Sequence, residues 1–251
     1  MTAITIHHDA ELLSKAAAAF FAERARLALA DHGRFSVLLA GGSTPRRTYE
    51  LLAQKPLAEQ IPWHACHFFW GDERCLPDGD ERRNETMVRR ALLDHVHVPP
   101  EHIHPITRCE EGAEQAAMLY AAELKEFFEG QPPCFDLIVL GLGEDGHTAS
   151  LLPASTALHE KVRWTAVARR PEEDFSRVTL TIPVLNSGKC TLFLVSGRSK
   201  AKVVRRILEP CSGESTLPAR LIRPQWGELL WFLDEEAAGL LKAQRMASPE
   251  L

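Results

Sequence analysis

Apolar runs of four to six residues alternate along the chain with longer stretches whose apolar positions recur every three or four residues. The short runs predict buried strands and the longer ones amphipathic helices, an alternation expected of βαβ units around a largely parallel sheet. The clearest strands are Phe35–Ala40, Cys66–Trp70, Phe135–Leu140 and Thr191–Val195, with weaker ones at Trp164–Ala168, Val178–Thr181 and Leu229–Leu233. Helices are predicted over Ala10–Ala30, Pro45–Gln54, Glu85–His95, Glu110–Glu129, Ser199–Leu208 and Glu235–Gln244. No repeat or Gly/Ser linker divides the 251 residues, so residues 1–251 are expected to form one α/β domain with one core. The longest irregular stretches are Leu76–Arg83, Val96–Arg108, Pro153–Val162 and Glu209–Arg223. Loops of that length in a compact domain often close over or bind a ligand.

Composition adds mainly exclusions. With 45% hydrophobic and 25% charged residues the chain is an ordinary globular one. A formal net charge of -5 argues against the basic stripe that nucleic-acid binding requires, so any anionic ligand needs a local cluster of cations and backbone amides. No basic segment precedes an apolar stretch at the N-terminus, and no window approaches about 18 uninterrupted apolar residues, so neither export nor a membrane span is expected. The expected location is the cytoplasm. Cys66, Cys75, Cys109, Cys134, Cys190 and Cys211 lie far apart without a C-x-x-C pair, which fits thiols in a reducing compartment better than a zinc ribbon or a disulfide scaffold. His95, His97, His102 and His104 flank a Pro-Pro-Glu turn with no completing carboxylate or cysteine, so no metal site is expected there.

Each of the four best strands runs straight into a polar, glycine-containing turn: Gly41-Gly42-Ser43-Thr44, Gly71-Asp72-Glu73-Arg74, Gly141 to His147, and Ser196 to Lys200. If the strands are parallel, all four turns meet at one edge of the sheet, where open α/β folds bind ligands. The first turn leads into Pro45 and a helix, an arrangement in which free amides, the helix dipole and the Ser43 and Thr44 hydroxyls face an anion that Gly41 and Gly42 let approach. Lys200 brings a fixed positive charge. In the third turn His147 can take a proton from water near neutral pH if a carboxylate, Asp145 or Glu144, orients it. Asp72, Glu73 and Arg74 form a charge run where a strand meets the crevice, which makes Asp72 and Glu73 candidate substrate contacts. The glycine spacing matches neither a Walker loop nor a dinucleotide fingerprint, and G-x-S-x-G is absent.

Four ordered blocks, GGSTPRRTYELL, FFWGDERCLP with RRNETM, FDLIVLGLGEDGHTASLLP, and RVTLTIPVLNSGKCTLFLVSGRSKAKVVRRIL, resemble the 6-phosphogluconolactonase family from about Phe35 to Leu208. The resemblance implies a Rossmann-like, mostly parallel sheet flanked by helices on both faces, and hydrolysis of a phosphorylated sugar lactone with no cofactor and no obligate protein partner. Residue by residue, it implies phosphate contacts at Gly42, Ser43, Thr44 and Lys200, a base at His147, and Arg74 near the substrate's carboxyl end or phosphate. Arg83 departs from the pattern, where a serine is expected before Asn84. The sibling glucosamine-6-phosphate deaminase shares the phosphate turn but typically carries DEY in place of GDER and Phe-Asn-Glu after its histidine; here Thr148 to Pro153 follow. A sugar-phosphate sensing domain that binds without turnover is the other alternative, and no helix-turn-helix or basic extension speaks for it.

Overall fold

The computed structural model describes residues 2–210 and 217–242. In chain order its elements are β1 (Thr2–His7), α1 (Ala10–His32), β2 (Phe35–Leu39), α2 (Ser43–Leu52), α3 (Leu57–Gln60), β3 (Cys66–Trp70), β4 (Asp72–Arg74), α4 (Asn84–Ala91), β5 (Ile103–His104), α5 (Ala113–Phe127) and β6 (Leu137–Leu140). There follow β7 (Thr165–Arg169), β8 (Ser176–Leu180), α6 (Ile182–Leu185), β9 (Cys190–Val195), α7 (Ala201–Leu208), β10 (Glu228–Asp234) and α8 (Glu235–Ala238).

Seven strands form one sheet in the order β1-β10-β9-β6-β2-β3-β5, and every neighbouring pair is parallel. All residues of β2, β6 and β9 are buried, as strands covered by helices must be. Their runs of Val, Leu, Ile and Phe are therefore continuous rather than alternating. α1 shows how the covering is written locally. The Asp9 carboxylate accepts the Leu12 amide at 2.7 Å to start the helix, and Leu13, Ala17, Phe21, Ala25 and Ala28 turn inward at helical spacing. Gly33, at φ 80, ends it in the left-handed conformation.

The two tyrosines of the chain finish strands. The Tyr49 hydroxyl accepts from the Ala40 amide at 3.0 Å and donates to the Ala40 carbonyl at 3.1 Å, just past β2. Tyr120, from α5, does the same for Trp70 at the end of β3, both bonds being 2.9 Å. Where the strands stop pairing, a side chain takes over the backbone's obligatory bonds.

Three departures from the sequence-based expectation bear on function. β4, β8 and β7 form a separate antiparallel sheet, with Arg74 directly opposite Arg177, so the Asp72-Glu73-Arg74 segment is a strand and not a turn. β1 and β5, short and half-buried, lie at the two edges of the main sheet, and their weak apolar signal hid them. Helix ends also moved: α2 begins at Ser43, α4 stops at Ala91 ahead of a 3-10 turn at Leu93–His95, and α8 stops at Ala238. Residues 243 and 244 of the expected last helix, and 211–216 of the loop before β10, lie outside the described residues. Among the described residues, no helix is long and apolar enough to cross a membrane.

β2 is flanked by β3 on one side and β6 on the other, so the chain changes its direction of winding there. The carboxyl ends of such a pair open a crevice.

Candidate active site

A cavity of about 240 Å³ lies at that crevice. Its floor is the start of α2. Gly42 precedes the helix at φ 106, a conformation that favours glycine, and no side chain caps the first turn, so the amides there face the cavity uncapped. Gly41, Gly42, Ser43 and Thr44 all line it, as does Lys200 from the residue before α7. The cap position is Gly42, which has no side chain to offer, and the Thr44 hydroxyl, already inside the helix, bonds that of Ser196 at 2.7 Å. This ties the turn after β2 to the turn after β9.

The turn after β6 supplies His147. Its Nδ1 lies 2.5 Å from Asp145 Oδ1 and 2.9 Å from Nη2 of Arg170, which also reaches Asp145 Oδ2 at 3.0 Å. One ring nitrogen cannot both donate to Asp145 and accept from Arg170. Burial raises the Asp145 carboxyl, but the His147 amide, the His147 ring and Arg170 outweigh it and hold the group at about 2. The ionised carboxylate therefore accepts a hydrogen bond from Nδ1–H, which leaves the lone pair of the neutral ring on Nε2. Asp145, not Glu144, is the carboxylate that contacts the ring nitrogen. A side chain at Gly143 would put its Cβ 2.0 Å from His147 Nδ1, so only glycine lets the imidazole fold back over its own turn.

The antiparallel sheet forms a third wall. Along β4, successive side chains point to opposite faces. Asp72 and Arg74 line the cavity; Glu73 does not. The buried Glu73 carboxylate faces away and accepts the amides of Arg74 and Asn84, both at 2.7 Å, and of Glu85 at 2.8 Å. Expected as a substrate contact, Glu73 instead anchors the start of α4 from behind the wall. Burial pushes its carboxyl up to about 7 against the pull of those amides and of Arg83. Asp72 is itself tied down, accepting from the Ser150 hydroxyl at 2.5 Å and from Asn84 Nδ2 at 3.3 Å.

Two functional candidates escaped the sequence reading. Arg177, opposite Arg74 on β8, lines the cavity with its guanidinium paired to Glu173. Like charges directly opposed on a sheet are unfavourable, and here they make one wall cationic. Arg170, just past β7, reaches the imidazole from outside the cavity lining. The alternation within Asp72-Glu73-Arg74 and the two arginines ahead of Val178, Arg170 and Arg177, were the available signals; neither is readable until the hairpin pairing is known. Arg83, the departure from the family pattern, is 1% exposed and donates to the carbonyls of Leu76 and Ile106 and to Asp78. It pins the Leu76–Arg83 loop to the segment after β5. Among the described residues, no group of three or more His, Cys, Asp or Glu is placed to hold a metal ion.

Residues 8–231 match the sequence profile of the glucosamine-6-phosphate isomerases/6-phosphogluconolactonase family. The chain belongs to this family. The family match spans every residue of the cavity, from Ala40 to Lys200. Among curated relatives, a 6-phosphogluconolactonase of Synechocystis sp. is 42% identical over 218 residues, covering 86% of this chain and 88% of the relative. A human 6-phosphogluconolactonase is 37% identical over 246 residues, covering 95% and 93%. Among solved structures, the 6-phosphogluconolactonase of Trypanosoma brucei superposes with a TM-score of 0.85 at 30% identity, over 96% of this chain and 99% of that one. Family membership and topology thus agree on a mostly parallel α/β sheet flanked by helices.

Proposed function

We propose that this chain hydrolyses 6-phospho-D-glucono-1,5-lactone to 6-phospho-D-gluconate, the lactone-opening step of the oxidative pentose phosphate pathway, as one domain working in the cytoplasm without a cofactor. The observation that carries this reading is the His147 imidazole: Asp145, itself held by Arg170, bonds its Nδ1 side, and the ring lines the same cavity as an uncapped helix start and Lys200.

The phosphate sits at the start of α2, where amides, the Ser43 and Thr44 hydroxyls and Lys200 supply donors and positive charge. Anchored there, the lactone carbonyl is carried toward His147, so binding energy is converted into orientation. Nε2 of His147 takes a proton from water, and the water oxygen bonds to the carbonyl carbon. The charge that develops on the carbonyl oxygen faces the cationic wall, with Arg74 its donor and Arg177 beside it; preorganised donors of this kind contribute several kcal/mol. The ring C–O bond then breaks, and the departing oxygen receives the proton held by the imidazole. Asp145 stays ionised throughout and fixes the ring. The test is a direct assay of 6-phosphogluconolactone, corrected for its spontaneous opening. Acceleration above that background supports the reading. Release of ammonia from glucosamine 6-phosphate, or saturable binding without acceleration, overturns it.

A further inference from the structure

Cys75 directly follows Arg74 on the cavity wall, and Cys109 comes from the 3-10 turn after β5, 34 residues later. Nothing in the lactone chemistry uses either sulfur. The structure brings them together: the Cys109 thiol donates to the Cys75 sulfur across 2.7 Å. Both are partly exposed, whereas Cys66 and Cys190 are buried, and Cys134 is exposed without a thiol partner among the described residues. Beneath the pair lies the buried Arg83, whose positive charge acts on both sulfurs.

We propose that Cys75 and Cys109 are a hydroperoxide-oxidised dithiol whose disulfide clamps the segment after β5 to the strand that carries Arg74. Cys75 is the attacking sulfur, because the Cys109 S–H bond and the nearby guanidinium both favour its thiolate. Its sulfur takes the distal oxygen of the peroxide; the O–O bond breaks, and the leaving hydroxide picks up the displaced thiol proton as water. The Cys109 sulfur then attacks the sulfenic sulfur, the S–O bond breaks, and a second water leaves with the Cys109 proton. Two thiols are oxidised to one disulfide while one peroxide is reduced to two waters. Since the sulfurs already touch, closing to a bond of about 2.05 Å requires little movement of the wall. The resulting ring encloses the Leu76–Arg83 loop and α4.

The experiment treats the reduced full-length chain with a slight excess of hydrogen peroxide. Expected are an intact mass lower by two hydrogens and a single cross-linked peptide pair holding Cys75 and Cys109. The melting temperature should rise on the order of 5–10 °C, because the unfolded chain is constrained by a loop of this length. Turnover of the lactone should stay within about twofold, since a displaced wall would cost far more, and dithiothreitol should reverse every change. In Cys109→Ser the reduced variant should turn over normally, form no cross-link, show no rise in melting temperature and stop at a sulfenic acid on Cys75 that dimedone traps. The proposal is overturned if the wild type forms no cross-link, if Cys134 is oxidised ahead of the pair, if the cross-link leaves the melting temperature unchanged, or if turnover collapses reversibly on oxidation.

Discussion

The two ends of the cavity are built in opposite ways. At one end, the anion site is local: a strand, a glycine turn and a helix start supply most of its donors within four consecutive residues, Gly41 to Thr44. At the other end, the imidazole depends on Asp145 two residues away, and Asp145 in turn on Arg170, twenty-five residues farther along in the turn between β7 and β8. The local end is built largely on backbone, with Lys200 adding a side-chain charge from the turn after β9. The distant end is made of side chains and fails when any of them is removed. Binding and chemistry should therefore separate under mutation.

The sharpest way to break this contrast is His147→Asn, which keeps size and hydrogen-bonding capacity but not basicity. kcat should fall by about 10²–10⁴ while binding of 6-phosphogluconate, measured by calorimetry, changes little. Retention of more than about a tenth of wild-type kcat would place the base elsewhere, with Asp72 the next candidate. Lys200→Ala probes the opposite end. It should lower kcat/KM for the phosphorylated lactone roughly ten- to a hundredfold, as loss of a charge-assisted contact does, and spare unphosphorylated gluconolactone. Equal losses on both substrates would remove Lys200 from the phosphate site. Arg170→Met should lower kcat by about tenfold with KM nearly constant, because it loosens the ring and not the anion site; a change confined to KM would contradict its orienting role.

The smallest expected effect concerns Glu73. Its carboxyl is raised from 4.5 to about 7 in the folded chain. Between those pH values the unfolded chain has released a proton that the folded chain still holds, so stability declines as pH rises through the window and levels off above it. Glu73→Gln cannot release a proton. Denaturant midpoints recorded at about pH 5 and pH 7.5 should differ in the wild type and converge in the variant, which also loses about 1–3 kcal/mol because its amide meets a backbone N–H. An unchanged wild-type midpoint across that range would show Glu73 ionised throughout.

What the sequence disclosed follows the same division. The four strands after which the turns come, the GGST helix start and the His147 turn were legible, because each is a run of neighbouring residues whose conformation is locally encoded. The antiparallel sheet was not, since Asp72-Glu73-Arg74 shows as a charge run until β8 is known to lie beside it. With that pairing, the two-residue pleat explains why Asp72 and Arg74 face the cavity and Glu73 does not. Arg170 and Arg177 were invisible for the same reason: a hairpin, not spacing, brings them to the site. Arg83 stood out as a departure, but its burial against the Ile106 carbonyl depends on a contact 23 residues away.

The paired tyrosines at the strand ends have an optical consequence. Burial raises the phenols of Tyr49 and Tyr120 well above their usual range, and both hydroxyls are committed to backbone groups. The chain has no other tyrosine. Its phenolate absorbance should therefore stay dark through an alkaline titration of the native protein and appear in one step when the strand ends let go, which gives the molecule a built-in signal for the opening of the very edge that holds its cavity.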